Sequence, residues 1–246
     1  MTSSARAMQP SPAATRRALE EAVAVAEEMD RRRRRNQLAV YLPYPKQRAF
    51  HELGRTHRER LLMAANQVGK THCGAAEVAM HLTGRYPDWW RGRRWERPTR
   101  WWAGSNTTEN TRDTVQRKLV GDPKQMEEWG TGLVPGDALV DWSRRTHGAA
   151  NSLDSIVVRH ASGGKSTLGF KSYDQGREKW QGETLDGVWC DEEPPEDIYS
   201  EGKTRTNVEA GLVMVTFTPL LGMSQVVKSF LDENAATLAE IQRLAA

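Results

Sequence analysis

Cysteine is scarce in this 246-residue sequence: Cys73 and Cys190 are the only two, too few for a disulfide framework and in keeping with reduced thiols. Long apolar runs are missing too. Nothing approaches the roughly 18 consecutive apolar residues of a membrane-spanning helix, and mean hydropathy is -0.70. Residues 1–14 hold no apolar segment of signal-peptide length, so the expected location is the cytoplasm. Nor is there a large excess of either charge. Lys and Arg number 35 against 32 Asp and Glu, a formal net charge of +3, so any basic surface for a nucleic acid has to be local. No repeat of about 20–50 residues and no low-complexity tract is visible, which argues against a solenoid. The 38% hydrophobic content suffices for one core. At roughly 150 residues per domain, the length fits one large domain or one domain with an appendage.

The positive charge that exists is gathered in two places. Residues 1–36 carry eight arginines (Arg6, Arg16, Arg17 and the block Arg31 to Arg35) against five acids, which accounts for the whole formal excess. Ser11-Pro12 suits an N-cap with a first-turn proline, and Leu19, Ala22, Val23, Ala26 and Met29 recur at helical spacing. The expectation is a basic, amphipathic helical arm that the arginine block ends. Such a block is either a solvated charge run or a contact to DNA phosphates or an acidic neighbour. Within residues 84–102, Trp89, Trp90, Trp95, Trp101 and Trp102 alternate with Arg85, Arg91, Arg93, Arg94, Arg97 and Arg100. The interleaving suits base stacking and phosphate pairing, or a loop finished by Arg packed on Trp; the second reading is preferred.

The chemistry-bearing motif begins at Glu59. An apolar strand pattern runs into Ala64, Ala65, Asn66, Gln67, Val68, Gly69, Lys70 and Thr71, after which Ala75, Ala76, Val78, Ala79 and Leu82 repeat at helical spacing. Strand, loop and helix in that order, with Gly-Lys-Thr opening the helix, is a P-loop. Backbone N–H groups cradle phosphates, the Lys reaches the β and γ groups, and the hydroxyl binds magnesium. Ala64 replaces the usual first glycine, so the loop is a variant. A second Gly-Lys-Ser at Gly164, Lys165 and Ser166 lies between alternating apolar runs, and Gly163-Gly164 reads there as a hairpin turn rather than a helix start.

A P-loop ATPase also needs a carboxylate at the end of a neighbouring strand, and often a second one to orient water. Val188-Trp189-Cys190-Asp191-Glu192 supplies both, with Asp191 assigned to Mg2+, Glu192 to the general base and Glu193 held in reserve. Leu212-Val213-Met214-Val215 is the strongest buried-strand signal and ends in Thr216-Phe217-Thr218-Pro219, hydroxyls placed to sense a γ-phosphate. Trp101 to Gly104 forms a further strand, capped by Ser105 and Asn106 before a helix over 108–119. The alternation predicts an α/β fold of RecA/ASCE-like P-loop type, with a mainly parallel sheet and helices on both faces. The division expected is a basic arm over 1–36 and an ATPase domain over 37–246.

Tyr44-Pro45-Lys46-Gln47 with Phe50, the loop over 64–71, Leu185 through Glu193, and Thr216-Phe217-Thr218-Pro219 together resemble the ATPase domain of phage large terminase subunits, the motors that pump DNA into procapsids. The resemblance spans about residues 41–227. It implies ATP and Mg2+ as cofactors and adenine recognition near Gln47. Phosphates would bind at Ala64, Ala65, Asn66, Gln67, Val68, Gly69, Lys70 and Thr71, and magnesium at Thr71 and Asp191. Glu192 and Lys70 would carry catalysis, and Thr216 and Thr218 would couple hydrolysis to movement. It implies as partners double-stranded DNA, a portal protein, a small terminase subunit and further copies in a ring on the procapsid, within the host cytoplasm and without a membrane. Many members carry an Arg early in the loop, where this sequence has Asn66-Gln67; Arg177 is the candidate for the missing charge, acting in a neighbouring subunit's site. Complete large terminases resemble a fusion of this ATPase to an RNase H-like nuclease, for which the residues after Leu231 leave no room, so no DNA cleavage is expected. The competing readings are a superfamily 2-like helicase, which needs a second RecA-like domain, and a non-catalytic nucleotide-binding assembly module.

Overall fold

A computed structural model describes residues 12–146, 148–219 and 224–233. A long helix, α1 (Pro12–Arg34), leads through a 3-10 turn to α2 (Pro45–Leu53), followed by β1 (Glu59–Met63), α3 (Lys70–Thr83) and β2 (Arg100–Ser105). A helical run comes next: α4 (Thr108–Asn110), a π-helical stretch (Thr111–Gln116) and α5 (Arg117–Val120). Then come β3 (Leu139–Arg144), β4 (Leu153–Arg159), β5 (Lys165–Ser172), β6 (Gly187–Asp191), α6 (Glu196–Thr206), β7 (Leu212–Phe217) and α7 (Gln225–Glu233).

The seven strands form one sheet in the order β1-β7-β6-β2-β5-β4-β3. The first five are parallel and the last two join antiparallel, so the sheet is mainly parallel, as the alternation predicts. Side chains alternate across it, and each face holds its own core. Trp101, Ala103, Trp189 and Met214 pack on the α3 side. Trp102, Val188, Cys190, Val213, Val215 and Phe217 pack with Ile198 and Tyr199 of α6 on the other. Strands buried on both faces explain the continuous apolar run of β7. Because all five parallel strands point the same way, Met63, Asp191 and Phe217 end at one edge of the sheet.

The second Gly-Lys-Ser sits where the alternation places it. Gly163 turns with φ of 93° between antiparallel β4 and β5, a conformation glycine adopts without strain. The Arg/Trp stretch is a finished loop: Trp90, Trp95, Trp101 and Trp102 are buried, and the guanidinium of Arg93 lies 3.9 Å from the Trp95 ring centroid.

One expectation about the arm needs adjusting. Helix α1 ends within the arginine block rather than before it: Arg31 to Arg34 form its last turn, where cations complement the negative end of the helix dipole. Its apolar positions Leu19, Val23 and Met29 are exposed. Ser11 and Arg6 lie outside the described residues. The helix before Val120 is capped one residue later than expected, by Thr107, whose hydroxyl accepts from the Asn110 N–H at 3.1 Å.

Candidate active site

The loop over 64–71 leaves the sheet where the Ala64 N–H still donates to the Phe217 carbonyl at 3.4 Å. Two left-handed residues then fold it back, Gln67 at φ 62° and Gly69 at φ 79°. Gly69 is the N-cap of α3, and the N–H groups of that first turn have no acceptor within the helix. The positive φ favours glycine at position 69, and a Cβ there would also approach the Gln47 amide nitrogen to 3.0 Å, so that side chain would have to give way. The Lys70 ammonium reaches back over the loop to the Ala65 carbonyl at 2.7 Å.

Gln47 is turned toward this loop. Its Nε2 donates to the Val68 and Gly69 carbonyls at 3.3 and 3.2 Å, and its Oε1 accepts from the Tyr44 N–H at 3.0 Å. The amide thus ties α2 to the phosphate loop.

Asp191 stands at the centre of the arrangement. Its Oδ2 accepts from the Thr71 hydroxyl at 3.2 Å and its Oδ1 from the Thr216 hydroxyl at 2.8 Å. Three elements therefore converge on one carboxylate: α3, β6 and β7. The Thr216 hydroxyl accepts in turn from Trp189 Nε1 at 2.9 Å, and that indole packs against Gly74 of α3, where a Cβ would lie 2.5 Å from the ring. Trp189 is a positioning residue that sequence reasoning missed; its only signal was an aromatic two residues before the acid, in a strand otherwise read for its length.

The chain turns sharply at Glu192, whose φ is 72°. A left-handed glutamate carries backbone strain of order 1–3 kcal/mol, and two hydrogen bonds hold it: its N–H donates to the Thr216 carbonyl at 2.8 Å, and its carbonyl accepts from the Tyr173 hydroxyl at 2.8 Å. The Glu192 side chain is half-buried and has no partner among the described residues. Tyr173, just past the end of β5, is thus a second positioning group. Glu193 borders a separate hollow with Asn106 and Tyr173.

Thr218 and Thr216 part company. Thr216 is fully buried beneath Asp191, whereas the Thr218 hydroxyl donates to Asn66 Oδ1 at 2.7 Å and so touches the loop. Arg177 pairs with Glu201 of α6, its Nε donating to Oε2 at 2.9 Å. Within one chain it does not join Lys70, Thr71 and Asp191.

The family model described as "Terminase large subunit, T4likevirus-type, N-terminal" matches residues 61–246, most of the chain. The chain belongs to the large terminase family. It is 42% identical over 228 residues to the terminase large subunit of Salmonella phage P22, an alignment that covers 86% of this chain and 46% of that protein. To the large subunit of Enterobacteria phage LP7 it is 30% identical over 135 residues, or 52% of this chain and 27% of that one. This terminase chain therefore spans about half or less of the length of the curated relatives it matches. Among solved structures, the large terminase from a thermophilic bacteriophage in complex with ADP aligns with a TM-score of 0.45 and 14% identity, over 72% of this chain and 38% of that one.

In the terminase site, burial is the main cause that pushes the Asp191 carboxyl up to about 6, outweighing its threonine hydrogen bonds. The folded state thus binds this proton more tightly than the unfolded chain, whose ordinary value is 3.8. In metal-free protein the stability falls as pH rises from 3.8 towards 6, and the full cost is present above that. Asp191→Asn removes the cost. Urea unfolding in EDTA at pH 7 is expected to show the variant more stable by about 1–3 kcal/mol, with the gap closing near pH 4. A variant less stable at pH 7 would contradict the sign.

Proposed function

We propose that this chain is the ATP-hydrolysing part of a DNA-packaging motor, in which hydrolysis at the loop over 64–71 drives double-stranded DNA into a procapsid. The observation that carries the reading is the convergence of Thr71 and Thr216 on the Asp191 carboxylate at the edge of a mainly parallel sheet. The loop amides, the N-terminus of α3 and Lys70 bind the phosphates of ATP. A buried carboxylate and an adjacent hydroxyl are hard oxygen donors, so Thr71 and Asp191 fit Mg2+. When bound, the ion neutralises charge on the β and γ oxygens. Glu192 orients the attacking water and accepts its proton. Thr218, through Asn66, passes the state of the loop to β7.

By family resemblance the partners are duplex DNA, a portal protein, a small terminase subunit and further copies of the chain in a ring, in the host cytoplasm and transiently on the procapsid. The arm over 1–36 and the domain over 37–246 are the working division. In the ring, Arg177 leaves Glu201 and completes a neighbour's site. Arg177→Ala is then expected to lower turnover of the assembled motor about a thousandfold; unchanged turnover removes it from that role.

Duplex DNA tests the reading as a whole. ATP turnover by the chain is expected to rise with duplex DNA while a fluorescent partial duplex stays intact. Strand separation would instead identify a helicase, and binding of nucleotide with no turnover under either condition would identify an assembly module.

A further inference from the structure

The five-arginine block is not one patch. Helical geometry sorts it into three directions. Arg31 and Arg32 turn to Glu28, at 2.9 and 2.7 Å. Arg35, just past the helix, donates to the Trp129 carbonyl at 3.4 Å, and its own carbonyl accepts from the Gly136 N–H at 2.9 Å, which fixes the end of α1 to the domain. Arg33 and Arg34, with Asp30 one turn earlier, face a cleft of about 600 Å³ whose opposite wall is Gln67, Val68 and Gly69 of the phosphate loop.

That cleft has the composition of a site for a flat, polar-edged group. Val40, Leu42, Tyr44 and Val68 line it and are left exposed, an apolar surface that a base can cover. Lys70 and Thr71 do not line it, so it lies at the end of the loop away from the γ-phosphate position. Its two arginines are available: the Arg33 guanidinium has no hydrogen-bond or ion-pair partner among the described residues. Arg34 holds only Asp30, at 3.1 Å, in a pair exposed on both sides, and such pairs contribute little. A guanidinium offers planar stacking on a base and several donors for ribose hydroxyls.

We propose that Arg33 and Arg34 form the outer wall of the nucleotide cleft and bind the nucleoside end of ATP or ADP, so that the basic arm is part of the nucleotide site. The inference rests on the ATPase reading above. It also gives the arm a means of responding to nucleotide, since the helix that carries these arginines extends back to Pro12, beyond Asp30, the first of its residues to line the cleft.

The test compares Arg33→Ala/Arg34→Ala with Arg31→Ala/Arg32→Ala, which removes the same charge from the same turn, by calorimetric titration with Mg·ADP and with Mg·pyrophosphate. The first variant is expected to bind ADP about tenfold more weakly, the worth of one charged hydrogen bond, with pyrophosphate affinity unchanged. The second is expected to bind both ligands like wild type. Unchanged ADP affinity in the first variant overturns the proposal. Parallel losses for ADP and pyrophosphate, or equal losses in the two variants, reduce the effect to general charge and overturn it as well. Should wild type bind neither ligand, the ATPase reading itself fails.

Discussion

Glu192→Gln is expected to lower ATP turnover about 10²–10⁴-fold, the usual contribution of a positioned general base, while Mg·ADP affinity stays near wild type. The amide has the size and shape of the carboxylate but cannot take a proton from water. The backbone that aims this side chain is fixed independently of it, by the Glu192 N–H on the Thr216 carbonyl and the Tyr173 hydroxyl on the Glu192 carbonyl, so the substitution leaves the loop and Asp191 in place. Glu193 provides the internal comparison. It borders a different hollow, bounded by Asn106, Asp174 and Pro194, and Glu193→Gln is expected to retain most of the turnover. Phosphate release by both variants, beside fluorescent-ADP binding, decides the matter. Loss of turnover in Glu193→Gln with retention in Glu192→Gln would exchange their roles.

The second large effect is on stability and lies beneath the loop. Glu77 of α3 is fully buried, its Oε1 2.5 Å from Arg60 Nη2 and its Oε2 2.7 Å from His51 Nδ1. His81 Nε2 completes the group at 3.4 Å. Burial alone would raise the Glu77 pKa, but the Arg60 charge and the two histidine hydrogen bonds outweigh it and hold the carboxyl well below 4.5. Glu77→Ala leaves the Arg60 guanidinium buried without its counter-charge, and unfolding free energy is expected to drop by about 3–5 kcal/mol. Replacing both partners, Arg60→Met with Glu77→Leu, is expected to recover a large part of that loss, because no lone charge then remains. Because the folded pKa is depressed, the stability from Glu77 is present in full above its unfolded value of 4.5 and is lost as pH falls towards the folded value. Urea denaturation of the two variants beside wild type measures this; a near-neutral Glu77→Ala would show that the pair does not hold α3 on β1.

How much of this could be read in the sequence depended on how local each signal was. The loop over 64–71 announces itself because its function needs adjacent residues on one turn, and the hairpin at Gly163 could be told from it by strand alternation on both sides. Parallel order followed from strands and helices that alternate. The Glu77 group was not legible: Arg60 stands in a polar-apolar strand pattern that also suits a surface strand, and Glu77 interrupts an apolar helix face without marking its partner 17 residues away. The Trp189–Thr216 and Tyr173–Glu192 bonds were hidden for the same reason, since they depend on the register between β6 and β7 and on where β5 ends. The direction of each arginine in the block over 31–35 depended on α1 continuing through it, whereas charge repulsion in a bare sequence suggests a stop.

If ATP is hydrolysed at the loop over 64–71, as proposed, phosphate release from Mg·ATP by the wild-type chain beside Lys70→Ala will show it. Lys70 reaches the Ala65 carbonyl across the loop at 2.7 Å. Turnover by the wild type is expected to fall about 10²-fold or more in the variant, the scale for loss of one electrostatic stabiliser of the transition state. Equal turnover by the two proteins would contradict it.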